Sequence, residues 1–277
     1  MSTIPKKFIE SIVTISVNTT SNQKTCIGTG FLIAYLVENI NNTKKYGLFL
    51  ITNKHVLQNQ KKVFIGFNQI NVPSSFEVQI DLEQNGQLSY SMHMNPAVDI
   101  VAMNINVLFL QQMNAQYQYF RFDDDALKIQ DMQSKNIFEG DIIYSLGYPL
   151  NLVNTSSKNP ICRLGCVSRI ADLYIPSNPE VNFLVDAQSF PGNSGGPIIL
   201  IKDEIASNNE NRTNSYLIGI LHKNILYQDQ LISARMGNAQ SILSENSGLT
   251  MVHPVDFIEE VIKLEILRIG INNITSC

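Results

Sequence analysis

Apolar residues fall along this chain in short bursts, and polar or turn-forming residues part them. IVTISV (12–17), GFLIAYLV (30–37), YGLFLIT (46–52), KVFIGF (62–67), FEVQIDL (76–82) and DIVAMNI (99–105) are rich in β-branched and aromatic side chains. Stretches such as NTTSNQK, ENINNTKK, LQNQK and EQNGQ separate them. Short strands with a turn signal about every 8–12 residues predict an all-β chain folded as a sandwich or barrel. LQQMNAQYQYFRFDDDALKIQDMQSKN (110–136) is polar and weakly periodic, and reads as a connector. Strand-like runs then resume with DIIYSLG (141–147), CRLGCVSRIADLYI (162–175), NFLVDA (182–187), PIILI (197–201) and YLIGILH (216–222). Only the end has a helical period. There Ile258, Val261, Ile262, Ile266 and Ile269 share one face, with Pro254 suited to the first turn and Gly270 to the stop.

Composition narrows the class of function. The chain has 277 residues, 44% of them hydrophobic, enough for a sizeable core. Twenty basic and 24 acidic residues give a net charge of −4, without a long basic run, which argues against nucleic-acid binding through phosphates. No stretch approaches the roughly 18–20 apolar residues of a membrane span. The start, MSTIPKKFIESIVTISVNTT, makes a poor secretory segment because Glu10 and several hydroxyls interrupt it. The four cysteines are Cys26, Cys162, Cys166 and Cys277. Cys162 and Cys166 have no histidine at metal-site spacing, so no structural metal is expected. Four reduced thiols in a cytoplasmic protein are the simple reading.

Candidate chemistry centres on SFPGNSGGPIIL (189–200), where three glycines surround one serine. Glycine serves where backbone turns tightly or approaches a ligand, so main-chain N–H groups could be aimed here at a substrate. A plain loop entering a strand uses the same residues. An activated serine needs a base in hydrogen-bond reach and a third group to orient that base. His55, in FLITNKHVL, sits where a strand ends and can face a cleft. Asp99, in NPAVDIVAMNI, opens an apolar strand, where a carboxylate is costly unless paired.

GTGFLI (28–33), TNKHV (52–56), VDIVAMNI (98–105), GDIIYSLGYP (140–149) and DAQSFPGNSGGP (186–197) resemble, in order, the conserved blocks of trypsin-like serine peptidases of the chymotrypsin superfamily. The likeness is greatest to the protease domain of the bacterial HtrA/Deg branch and runs from about residue 10 to the final helix. It implies a single peptidase domain over 1–277, built as two six-stranded antiparallel β-barrels with the active site between them. The first barrel would span 8–118 and carry His55 and Asp99; a connector would span 119–139. The second barrel would span 140–253 and carry Ser194, with the helix over 254–270. The same resemblance implies Ser194 as nucleophile, His55 as base and then acid, and Asp99 as orienting carboxylate. It places the oxyanion hole on the loop Gly192-Asn193-Ser194, through the N–H groups of Gly192 and Ser194. No cofactor or metal is implied.

Two departures carry meaning. Relatives activated by zymogen cleavage have an aspartate where Asn193 stands, waiting for a new N-terminal ammonium, and this chain lacks their Ile-Val-Gly-Gly start. The ion-pair switch is therefore expected to be absent, with other contacts holding the loop. Secreted relatives place a disulfide cysteine where Val56 stands.

For specificity, Gln188 and Ser189 are expected near the base of the primary pocket. Ile220, Leu221, His222 and Lys223 are expected along its wall, pairing with substrate main chain. Neutral Gln188 argues against a preference for Lys or Arg. His222 could hold an acidic side chain, or it could face solvent or hydrogen-bond near Asp99; a small or medium apolar preference is the other option. Asp123, Asp124 and Asp125 could hold calcium or form a solvated loop. His93 is expected in a loop, His253 at the cap of the last helix, and that helix on the second barrel. The resulting expectation is a serine endopeptidase acting on polypeptide, with a possible regulatory protein partner and no nucleic-acid or membrane partner. Without the PDZ domains usual in the HtrA branch, it would act alone or under a partner's control. A catalytically silent binding platform on the same fold is the rival reading.

Overall fold

A computed structural model describes residues 4–19, 23–41, 43–154, 156–175, 180–205, 211–232 and 239–277. Residues 20–22 and 42, inside two of the expected turns, lie outside the described residues. The second half forms a closed barrel of six strands: Ile142–Gly147, Ile161–Arg169, Phe183–Asp186, Ala239–Pro254, Asn211–Ile232 and Pro197–Ile205, in that order around the barrel. Every neighbouring pair whose register is described there is antiparallel.

In the first half a second closed barrel is not shown. That half is a nine-stranded sheet whose ladder stays open. Its spine runs Lys62–Gln69, Ile12–Asn18, Lys24–Ile40, Thr43–Thr52, Val101–Asn104. The ends are two-residue strands, Ala115–Gln116 and Ser91–Met92; Ser75–Asp81 branches from Lys62–Gln69, and Phe120–Arg121 pairs in parallel with Lys24–Ile40. Asn85 and Gly86 both have positive φ, 53° and 77°, as the tightest hairpin turns require. That turn pairs Glu83–Gln84 with Gln87–Leu88, and the Ser89 N–H donates to the Leu82 carbonyl (2.9 Å), so one hairpin joins Ser75–Asp81 to Ser91–Met92.

The apolar runs are nearly continuous because both faces of the strands are covered. Phe31, Ile33, Phe49 and Ile51 face a core shared between the two halves, whereas Leu32, Leu48 and Leu50 fill the first half's interior. In the second half Ile198 and Leu200 point into the barrel and Ile199 points to the shared core. This shared layer clamps the two halves together and fixes the crevice in which the site lies.

Helix Val255–Ile269 matches the expected period, and Gly270 (φ 79°) ends it with its N–H on the Ile266 carbonyl. Its seat differs from the expected one. It lies chiefly on Val101–Asn104 and Ser91–Met92 of the first half, and less on the second barrel. Glu265 explains this. The carboxylate is fully buried, accepts from the Asn104 N–H (3.1 Å) and Ser91 Oγ (2.8 Å), and is held by Arg268 through two bonds of 2.7 Å. Arg268→Ala leaves that charge without its cation and is expected to cost about 2 kcal/mol. Thermal melting should show a fall of about 5 °C; an unchanged melting point would contradict the role given to the pair.

Short helices Val107–Gln112, Phe122–Asp125 and Ile129–Ser134, with the two-residue strands Ala115–Gln116 and Phe120–Arg121, lie in and beside the region read from sequence as a connector. There Asp123 meets Lys44, Arg121 and Tyr46; Asp124 meets Arg121; Asp125 meets Lys7. These carboxylates form ion pairs with side chains of the protein itself.

Candidate active site

Strand Thr43–Thr52 ends at the crevice, and the next residues, Asn53-Lys54-His55, turn into one short helical turn, Lys54–Leu57. Asp99 lies just before strand Val101–Asn104, which pairs with Thr43–Thr52. That pairing brings positions 55 and 99 together, and main chain and side chain then lock them. The Asp99 carbonyl accepts from Asn53 Nδ2 at 2.8 Å and from the Lys54 N–H at 3.4 Å. Asp99 Oδ1 accepts from the His55 N–H at 3.0 Å, and Oδ2 is hydrogen-bonded to His55 Nδ1. With Nδ1–H donating to the carboxylate, His55 Nε2 is left as an acceptor, the tautomer a general base requires. Burial pushes the Asp99 carboxyl up, but the hydrogen bonds and charge of His55 outweigh it and hold the group below the usual carboxylate range.

Two more histidines complete the surroundings of Asp99. His253 directly precedes Pro254, the N-cap of the last helix, as expected, and is fully buried. Its Nε2 accepts from the Asp99 N–H (3.0 Å) and its Nδ1–H donates to the Val181 carbonyl (2.9 Å), which fixes a neutral ring. His222 stacks on it at 4.4 Å and places Nε2 3.5 Å from Asp99 Oδ2. His93 lies in a loop, as expected, with Nε2 2.8 Å from Glu260 Oε2 and its ring edge-on to Phe257. Burial, with the nearby His253 ring, pushes His222 down to about 4 despite the pull of Asp99. Burial also depresses His253. Neutral at pH 7 and turned toward Asp99, His222 is poorly placed to bind an acidic side chain as a cation.

The two depressed histidines make a stability prediction. Each binds a proton more readily in the unfolded chain, near pH 6.5, than in the folded one. Their contribution is therefore complete above about pH 6.5 and is lost as pH falls from there toward 4. Between pH 7 and 4.5, melting temperatures should drop, with His222 accounting for on the order of 2 kcal/mol. His222→Gln should flatten much of that slope; a variant with an unchanged slope would refute the assignment.

The loop carrying Ser194 comes from the second barrel and packs on the first half. Gly192 has φ 100°, and a Cβ there would lie 2.2 Å from the Tyr148 carbonyl oxygen. Gly195 has φ 84°, and a Cβ there would strike the Thr29 carbonyl oxygen at 2.2 Å and Thr52 Oγ1 at 2.3 Å. The glycines are thus dictated both by φ and by close approach. The Ser194 carbonyl accepts from the Thr29 N–H (2.9 Å), and the Gly195 N–H donates to the Leu221 carbonyl (3.2 Å). Contact with Thr52 and Asn53 sets this loop beside the turn that bears His55. Among the described residues, no protein acceptor takes the N–H of Gly192 or of Ser194, and no hydrogen bond joins Ser194 Oγ to His55.

Several residues expected to bind substrate sit otherwise. Ile220 and Leu221 are core side chains, 0% and 1% exposed. The main chain of Leu221 is engaged by Gly195 and Gly196, and Ile220 pairs with Pro197 and His253 on its two sides. Neither is open to a substrate strand. Gln188 is exposed and accepts from Arg163 Nη2 at 3.2 Å, whereas Ser189 is buried. Two residues that sequence reading did not reach, Asn224 and Asn246, both donate through Nδ2 to the Ser189 carbonyl, at 2.7 and 2.5 Å. Asn224 directly follows Lys223 on the expected wall strand, which was the one available signal. Beside His55, a cleft of about 690 Å³ is lined by Lys54, Asp99, Asn182, His222, Lys223 and Met251 among others. All four cysteines are free thiols.

A mostly β chain with one closed six-stranded barrel, and a glycine-framed serine loop near a hydrogen-bonded His–Asp pair, are consistent with a trypsin-like fold. The model of the trypsin-like peptidase domain matches residues 28–205, and the chain belongs to that family. It is a serine-peptidase-type domain of the chymotrypsin superfamily, a class of hydrolases that act on polypeptides. No curated protein matches the chain. Among the described residues, no helix is long and apolar enough to cross a membrane.

Proposed function

We propose that this protein is an active serine endopeptidase of the HtrA/Deg type whose catalytic residues are His55, Asp99 and Ser194. The observation that carries the reading is the joint arrangement of two halves of a site. Asp99 holds His55 in the base tautomer, and the opposing loop leaves the N–H groups of Gly192 and Ser194 unclaimed beside it. In the reaction, His55 Nε2 takes the Ser194 Oγ proton as Oγ attacks the peptide carbonyl. The two N–H groups receive the developing oxyanion, one such donor being worth roughly 3–4 kcal/mol of barrier. His55 then gives its proton to the leaving amine, and water releases the acyl group from Ser194 by the same path. Every proton moved in this scheme is carried by the chain's own residues or by water.

The missing Ser194–His55 hydrogen bond favours a second reading, the silent platform. Such bonds are often long without substrate and tighten in the Michaelis complex, so the active reading is preferred. A regulatory partner that completes this bond is part of the proposal, as is a reducing, cytoplasmic setting for the four free thiols. The test is turnover of an internally quenched unfolded polypeptide, alongside labelling by a fluorophosphonate probe. Active protein should cleave internal bonds and take up the probe; folded protein that does neither, alone or with cell extract, would establish the platform.

A further inference from the structure

Asn193 carries no charge, so no ammonium–carboxylate pair can fix the loop that presents Gly192 and Ser194, and something else must. The carbonyls of four consecutive peptides in this loop are each pinned. Pro191 O accepts from the Leu150 N–H (2.7 Å), Gly192 O from Thr29 Oγ1 (2.7 Å), Asn193 O from the Gly196 N–H (2.9 Å), and Ser194 O from the Thr29 N–H (2.9 Å). In a trans peptide the N–H points opposite to its carbonyl. Pinning Pro191 O therefore aims the Gly192 N–H away from Leu150, and pinning Asn193 O aims the Ser194 N–H the other way from Gly196.

Thr29 holds two of the four carbonyls and ties them to the rest of the molecule. It is fully buried on strand Lys24–Ile40. Its Oγ1 donates to Gly192 O and accepts from the Tyr148 N–H at 3.1 Å, while its own carbonyl accepts from Thr52 Oγ1 at 2.8 Å. Thr52 ends the strand that leads into Asn53 and His55, so one residue links the oxyanion loop to the base. The Leu150 turn is anchored to the same strand, because Asn151 Oδ1 accepts from the Cys26 N–H at 2.8 Å. Leu150 and Asn151 both stand at positive φ, 55° and 54°, a conformation that non-glycine residues keep only when their surroundings impose it.

We infer that Thr29 is a positioning residue: with the Leu150 turn it forms an uncharged clamp that keeps the oxyanion loop in its receiving conformation without an activation ion pair. The inference rests on the proposed peptidase function and adds how that site is kept competent.

Thr29→Val keeps shape and main-chain bonds but removes the hydroxyl, and Thr29→Ser restores it. In steady-state peptide hydrolysis, Thr29→Val should lower kcat about 10–100-fold with KM little changed, since the loss falls on transition-state stabilisation. Thr29→Ser should stay within about threefold of wild type. If Thr29→Val does not fold, Thr29→Cys, with a weaker donor of similar size, should show the same fall in kcat. Amide hydrogen exchange provides a readout independent of activity: the Asn193 and Gly196 N–H groups should exchange at least about tenfold faster in Thr29→Val. A folded Thr29→Val protein with wild-type kcat and wild-type exchange at these amides overturns the clamp. Wild-type protein that hydrolyses nothing overturns the peptidase reading, and the exchange data then decide the clamp on their own.

Discussion

Replacing Ser194 with alanine is expected to lower kcat/KM on a peptide substrate by on the order of 10⁵–10⁶-fold, leaving the melting temperature within about 1 °C. The nucleophile supplies the acyl-enzyme route, and without it only substrate binding and the two N–H donors remain. Structural cost should be small, because the loop is held by carbonyls and N–H groups rather than by the Ser194 hydroxyl, which makes no hydrogen bond to His55. His55→Ala should cost about as much, since the two groups act in one step. Progress curves with purified protein measure both. A Ser194→Ala protein that retains a tenth of its rate would mean that another group performs the attack.

Asp99→Asn is the second large effect, with kcat expected to fall about 10⁴-fold. The carboxylate accepts twice from His55, at Oδ1 from the main-chain N–H and at Oδ2 from Nδ1. An amide can present an oxygen to only one of these. If its NH2 meets the ring, His55 Nδ1 becomes an acceptor and the proton moves to Nε2, the atom that must be free to take one from Ser194. Asp99 is held below the usual carboxylate range by His55, so it stays ionised through the working pH range and does not set the acid limb of the activity profile. An Asp99→Asn variant folded like wild type and losing less than tenfold in kcat would remove Asp99 from the mechanism.

Both variants probe a site that the sequence largely exposes, since its members sit in short motifs at strand ends. TNKHV and NPAVDIVAM could be read because an imidazole after an apolar strand, and a carboxylate before one, need a reason to be there. GNSGGP could be read because no other residue tolerates φ near 100° with a carbonyl 2.2 Å from its would-be Cβ.

What stayed hidden depends on register and on long-range seating. Asn224 and Asn246 meet at the Ser189 carbonyl only because strand Asn211–Ile232 pairs with Ala239–Pro254 in one register, with irregularities at Leu221/Lys223 and Asn224/Leu226. His253 stands next to the helix cap, as its neighbour Pro254 suggested, but its bond to the Asp99 N–H depends on the barrel's long-range seating. Thr29 looked like an ordinary strand threonine, and its weight comes from Gly192, 163 positions away.

Intact-mass and peptide mass spectrometry of protein quenched in acid moments after mixing with an activated acyl ester tests the central claim most directly. The account predicts one acyl group per chain, carried on the Ser194 hydroxyl. An acyl group on any other side chain, or rapid ester turnover by folded protein that never acylates Ser194, would contradict it.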